Sequence, residues 1–104
     1  MFHRLTSELV IRSPWRPFRA RHGERSLVLE GRSVFPPSHP TTHLCLDLMK
    51  NAMASRPGAY ILDVGCGSGI LALAALALGA PRAVAVDLSG RAVRQTQKNA
   101  ARNG

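Results

Sequence analysis

The chain has 104 residues, 45% of them hydrophobic, and a formal net charge of +8. That length holds one small domain and is short of a complete doubly wound nucleotide-binding enzyme, while the apolar share argues against wholesale disorder. Twelve of the 14 basic residues are arginine, and the excess is shared evenly between residues 1–32 and 33–104, so the charge admits acidic or nucleic-acid partners without selecting one.

Residues 1–8 carry little signal. Glu8 to Arg12 reads as a short strand, and Ser26 to Glu30 as a second, its antiparallel partner, ended by Gly31. Between them Pro14 and Pro17 break the pattern around Trp15 and Phe18. Arg16, Arg19, Arg21, His22 and Arg25 make a basic loop. Aromatics among arginines can stack on bases, but the commoner reading is a solvated turn with Trp15 and Phe18 as packing anchors. The prolines at 36, 37 and 40 argue against regular structure over Val34–Thr42. Thr41 or Thr42 is placed to cap a helix over roughly His43–Ala54. Leu44, Leu48 and Ala52 then form its apolar stripe, with Cys45, Met49 and Met53 beside them, to be buried against a sheet. His39 and His43 have Pro40 between them and no third ligand, so no metal site is expected.

The stretch from Tyr60 to Asp87 is organised differently. Tyr60–Val64 reads as a buried strand and Gly65–Gly69 as a glycine loop. Ile70–Leu78 is an alanine-rich helix stopped at Gly79 and Pro81, and Ala83–Val86 is a second buried strand closed by Asp87. This is a β-α-β unit. The glycines permit a tight turn and close approach of a ligand to a helix N-terminus. Asp87, at the carboxyl end of the second strand, is suited to accept hydrogen bonds from both hydroxyls of a ribose. The dinucleotide fingerprint needs a further glycine where Ile70 stands, and Asp63 before the loop repels a pyrophosphate but suits an ammonium or sulfonium. Both features disfavour an NAD-dependent oxidoreductase. Ser89 caps a last helix over Gly90–Arg102, with Ala92, Val93, Thr96 and Ala100 inward and Arg91, Arg94, Gln95, Lys98 and Arg102 outward.

Cys45 and Cys66 form no C-x-x-C and give neither a disulfide framework nor a cysteine zinc site, and nothing in the sequence activates Cys45. The run Ile70–Ala80 is too short to span a bilayer, and no apolar signal core precedes it, so a cytoplasmic protein is expected.

D-V-G-C-G-S-G (63–69) resembles the cofactor loop of class I S-adenosylmethionine-dependent methyltransferases. Together with H-P-T-T-H-L-C-L (39–46), A-V-D (85–87) and N-A-A-R-N-G (99–104), it is similar to the PrmA-type enzymes, which trimethylate ribosomal protein L11. The resemblance implies the N-terminal part of a Rossmann-like doubly wound parallel sheet, cut after the second core helix and preceded by a small hairpin-like segment. It divides the chain into an extension (1–38) and a partial cofactor domain (39–104). It also implies S-adenosyl-L-methionine held by Thr42, Asp63, Gly65, Cys66, Gly67, Ser68, Gly69, Asp87 and Leu88, with Gly65 and its neighbours at the methionine end and Asp87 at the ribose. The partner it implies is a ribosomal protein amine. Three departures stand out: Phe35-Pro36-Pro37-Ser38 replaces the family's G-T-G, the substrate-recognition domain is absent, and the asparagine-bearing motif beyond the fourth strand falls outside the chain.

Methyl transfer asks the protein mainly for alignment and desolvation, and the sequence offers no general base, so no catalytic residue is assigned. RNA or a small molecule as acceptor, and a non-catalytic basic nucleic-acid-binding remnant, are the alternatives. A half-sheet of two strands should leave an open edge and a bare apolar face, so the isolated chain is expected to self-associate and to be marginally stable.

Overall fold

The computed structural model describes residues 2–15, 19, 21–30 and 39–104. In chain order the described elements are β1 (Phe2–Arg4), β2 (Leu9–Arg12), β3 (Arg25–Val28), α1 (Pro40–Ser55), β4 (Ile61–Val64), α2 (Ile70–Ala77), β5 (Ala83–Val86) and α3 (Gly90–Asn103). Gly31, Arg16, Pro17, Phe18 and the segment 34–38, which the sequence reading singled out, lie outside the described residues.

The first three strands form one sheet in the order β1-β2-β3. β2 and β3 run parallel, with Leu9 opposite Arg25 and Arg12 opposite Val28, not antiparallel as the sequence suggested. Residues 13–24 are long enough for a crossover. The antiparallel place beside β2 belongs to β1, joined by a tight turn in which Leu5 and Thr6 both donate to the Leu9 carbonyl (2.9 and 3.3 Å). F-H-R is too short to show an alternation, which hid this strand.

β4 and β5 form a second, parallel pair, with Ile61 opposite Ala83 and Val64 opposite Val86. The α2 helix joins them, as the sequence reading expected. It ends in a Schellman turn, where Gly79 N–H bonds Leu76 O (3.1 Å) and Ala80 N–H bonds Ala75 O (2.9 Å). Its apolar character all round is explained by its position. Ile70, Leu73 and Ala74 join Leu5, Leu9, Ile11, Leu27, Leu29 and Leu46 in one buried cluster, while the helix also packs on β4 and β5.

The expectation of strands buried on both faces is not met. Leu62, Val64, Val84 and Val86 are exposed, because no element among the described residues covers that face.

α1 starts earlier than expected and buries another face. His39 is its N-cap, its Nδ1 accepting from Thr41 N–H at 3.1 Å, and Pro40 opens the helix, where a missing N–H costs nothing. Thr41 and Thr42 are thus helical residues, not caps. Leu44 (63% exposed), Leu48 (70%) and Ala52 face solvent, and the buried side is that of Thr42 and Leu46, with Met49 packed on the core. The i, i+4 stripe was real in sequence, but contact with α2 selects the neighbouring stripe. Trp15 is 71% exposed, so it is not the packing anchor the sequence suggested.

On α3, Ser89 Oγ accepts from Ala92 N–H (3.3 Å), the predicted cap. Two outward-assigned residues are engaged instead: Gln95 donates to Glu30 O (2.6 Å), and Arg102 pairs with the Glu30 carboxylate. Asn103 reaches the end of β3, and Asn99, one turn earlier, reaches the chain two residues beyond it. The Asn103 amide accepts from Val28 N–H and donates to Val28 O, both at 2.8 Å. The Asn99 amide does the same at Glu30, both at 3.0 Å. Side-chain amides thus satisfy the outer edge of β3 as a further strand would.

Candidate functional site

At the carboxyl ends of β4 and β5 lies a pocket of about 310 Å³. The glycine loop and Asp63 form one wall, Asp87 another, and Thr41, Thr42 and Cys45 of α1 close the third, with Ile70 and Leu71 from the start of α2. Chain topology explains the assembly: both strands deliver their last residue to the same end of the sheet, and α1, packed on α2, brings its first turns to the same hollow.

The loop is pinned to β5 by two backbone bonds, from Gly65 N–H and Cys66 N–H to Val86 O (2.8 and 3.0 Å). Gly65 has φ +78°, and a Cβ there would meet nothing within 4 Å, so its side of the loop is open space. Gly69 differs: its missing Cβ would lie 2.8 Å from the Thr96 methyl, so this glycine lets α3 approach the loop.

Asp87 Oδ2 accepts from Gly67 N–H (3.0 Å) and Oδ1 from Ser89 N–H (2.8 Å). These backbone donors hold its carboxyl below the usual carboxylate range, so it is a fixed anion. Leu88 N–H also acts on this carboxyl, and the carboxylate keeps lone-pair capacity for a further donor. Asp63 is 8% exposed, and its Oδ2 accepts from Ala72 N–H at 3.3 Å. It therefore serves α2 as the cap that glycine at the N-cap position cannot supply. Burial pushes the Asp63 carboxyl up; the Ala72 bond lowers it in part, and the Asp87 charge raises it again. Two carboxylates in one small hollow, one of them desolvated, favour a ligand carrying positive charge.

Of the nine residues singled out in the sequence, Thr42, Asp63, Gly65, Cys66, Gly67 and Asp87 line this pocket together. Ser68 and Gly69 do not line it; both are buried on the α3 side of the loop. Leu88, beside Asp87, is fully exposed. Thr41, Cys45, Ile70 and Leu71 were missed. Thr41 becomes visible only once α1 is known to begin at Pro40, and Cys45 only once the buried side of that helix is known to be that of Thr42 and Leu46. A larger hollow of about 370 Å³, lined by Lys50, Arg56, Pro57 and Leu78, lies at the other end of α2, away from the loop. Among the described residues, no three His, Cys, Asp or Glu side chains gather as a metal ion would require. No helix there is long and apolar enough to cross a membrane.

The chain is similar to known proteins. The family model described as "Ribosomal protein L11 methyltransferase (PrmA)" matches residues 3–104. The ribosomal protein L11 methyltransferase of Sorangium cellulosum is 48% identical over 103 residues, covering 96% of this chain and 32% of the relative. That of Myxococcus xanthus is 47% identical over 92 residues, covering 88% and 32%. The crystal structure of a ribosomal protein L11 methylase from Lactobacillus delbrueckii subsp. bulgaricus superposes with a TM-score of 0.86 at 33% identity, over 99% of this chain and 52% of that one. The chain thus spans about a third of the length of these curated relatives. By the match over nearly its whole length, the chain belongs to the ribosomal protein L11 methyltransferase (PrmA) family.

Proposed function

We propose that this chain is the cofactor-binding part of an S-adenosylmethionine-dependent methyltransferase that acts on an amine of a ribosomal protein, the substrate class named for its relatives. The observation that carries this reading is the pair Asp63 and Asp87 bracketing an open glycine loop in one pocket. The residues fit the cofactor. Asp87 has lone pairs left for ribose hydroxyls. Asp63 offers a desolvated carboxylate to the cationic methionine end. Gly65, with open space beside it, leaves the loop backbone accessible, and Thr42 lines the same pocket from α1. Exposed Leu88 is available to the purine. Cys66 and Gly67 supply loop backbone, while Ser68 and Gly69 support it from behind. When bound, the cofactor supplies a methyl group already activated on a sulfonium; this chain's residues orient that donor and exclude water from it. No residue is assigned to proton removal. We take residues 39–104 as the cofactor-binding part and residues 1–38 as its flank, in a cytoplasmic protein.

The test is transfer of radiolabelled methyl groups to isolated ribosomal protein L11 by the gene product that contains this chain. Label on a lysine or the α-amine of that protein is expected. Label on RNA alone, or on no acceptor, contradicts the reading.

A second reading is favoured by one observation, exposed Trp15 followed in the chain by exposed Arg19 and Arg21: contact with nucleic acid through the N-terminal segment. RNA affinity falling steeply with salt is its expected signature, and no retention on RNA at low salt removes it. The bare face of β4 and β5 further supports self-association of the isolated chain.

A further inference from the structure

A glycine loop with positive φ at 65, 67 and 69 has little shape of its own, because these residues have many backbone conformations open to them. Something must hold it. Backbone bonds to Val86 fix its start, and the Asp87 carboxylate fixes Gly67 N–H. The next two carbonyls are held by α3. Thr96 Oγ1 donates to Gly67 O (3.1 Å), and Asn99 Nδ2 donates to Ser68 O (2.8 Å). A trans peptide is planar, with C=O and N–H on opposite sides. Drawing the Gly67 carbonyl toward α3 therefore turns Ser68 N–H away from it, and drawing the Ser68 carbonyl does the same for Gly69 N–H.

Asn99 does more than hold the loop. It is fully buried, and the same amide bonds Glu30 through both its N–H and its C=O. One side chain thus ties the glycine loop to the end of the β3 segment. Asn103 is a control provided by the fold. It grips Val28 in the same manner, but its remaining N–H goes to Asn99 O (2.7 Å) and none of its bonds reaches the loop. Thr96 adds a steric element, since its methyl fills the space that a Cβ at Gly69 would need.

We propose that Thr96 and Asn99 are positioning residues of the glycine loop, and that Asn99 makes the loop's geometry depend on docking of the β3 segment. Neither residue lines the pocket, so their effect on a ligand is transmitted by the loop. The affinity part of the claim rests on the S-adenosylmethionine reading; the part concerning loop order does not.

The experiment compares Asn99→Asp, Asn103→Asp, Thr96→Val and Thr96→Ser in the 104-residue chain. It reads amide hydrogen exchange over residues 65–73 and calorimetric affinity for S-adenosylmethionine. The Asn→Asp changes keep shape and acceptor but remove both donors. Asn99→Asp should speed exchange at Gly67 and Gly69 and weaken binding about tenfold, as loss of a buried hydrogen bond in the loop implies. Asn103→Asp, at equal or greater loss of thermal stability, should leave both within about twofold. Thr96→Val should weaken binding about fivefold, and Thr96→Ser should restore it. The proposal is overturned if the two Asn→Asp variants change loop exchange in equal measure, or if Thr96→Val leaves the loop unchanged. Should Asn99→Asp fail to fold, the Thr96 pair decides. Should the unaltered chain bind no S-adenosylmethionine, the cofactor reading falls, and the exchange data alone decide whether these residues position the loop.

Discussion

The two faces of the β4–β5 ribbon come from the same short apolar runs and meet different surroundings. On one face Ile61, Asp63, Ala83 and Ala85 lie on the α2 side, and Asp63 is largely buried, reaching only the pocket. On the other, Leu62 (65% exposed), Val64 (75%), Val84 and Val86 have no element over them among the described residues. Period-two alternation assigns residues to faces, but only the neighbouring layers decide which face becomes core. Coverage creates the chemistry on the first face, because burial is the main cause of the raised Asp63 carboxyl. On the second it leaves a patch that association would cover.

The largest effect expected from this contrast is on stability. Leu9→Ala, in the cluster that covers α2, should cost about 2–5 kcal/mol and lower the melting temperature by roughly 10 °C or more. Leu62→Thr, on the bare face, should change stability by no more than about 0.5 kcal/mol while reducing self-association in sedimentation. Equal losses of stability in the two variants would break the comparison. The unaltered chain should melt broadly and depend on its concentration; a sharp, reversible transition of a monomer would contradict the open face.

The next effect concerns Asp63. Its folded carboxyl is raised, so the ionised form opposes folding once pH exceeds the unfolded value, and a cation in the pocket offsets that cost. Affinity for S-adenosylmethionine should therefore rise with pH through the range where Asp63 of the free chain titrates. Asp63→Asn should weaken binding about tenfold or more without lowering the stability of the free chain at neutral pH. A variant that loses stability but keeps affinity would make Asp63 a helix cap and nothing else.

The smallest effect lies at His3, whose Nε2 is 2.9 Å from His43 Nε2, joining β1 to α1. Burial first, and the His43 charge second, hold His3 below its ordinary value. Its contribution is full above that ordinary value and is lost as pH falls through it towards the folded one. Thermal unfolding between about pH 7 and pH 5 should show this loss, and His3→Gln should flatten it.

Local signals made the β-α-β unit and most of the site legible in the sequence. Glycines, an acid at each strand end and the Ser89 cap each dictate nearby backbone, so their consequences fall within a few residues. What stayed hidden depends on contacts distant in the chain. The parallel pairing of β2 with β3 joins residues as far apart as Leu9 and Arg25, across a connection with no strand signal of its own. The buried stripe of α1 is chosen by α2, which turns Cys45 to the pocket, and the early start of α1 adds Thr41. Asn99 and Asn103 had no role legible in the sequence beyond the N-A-A-R-N-G resemblance, because their partners, Glu30 and Val28, lie 69 and 75 positions away.

The most direct test is a calorimetric titration of the chain with S-adenosylmethionine, repeated with NAD. Saturable one-to-one binding of S-adenosylmethionine, lost in Asp63→Asn and absent with NAD, is the predicted result. No binding of S-adenosylmethionine, or equal binding of NAD, would contradict the claim that two acids around an open glycine loop select a cationic adenosyl ligand.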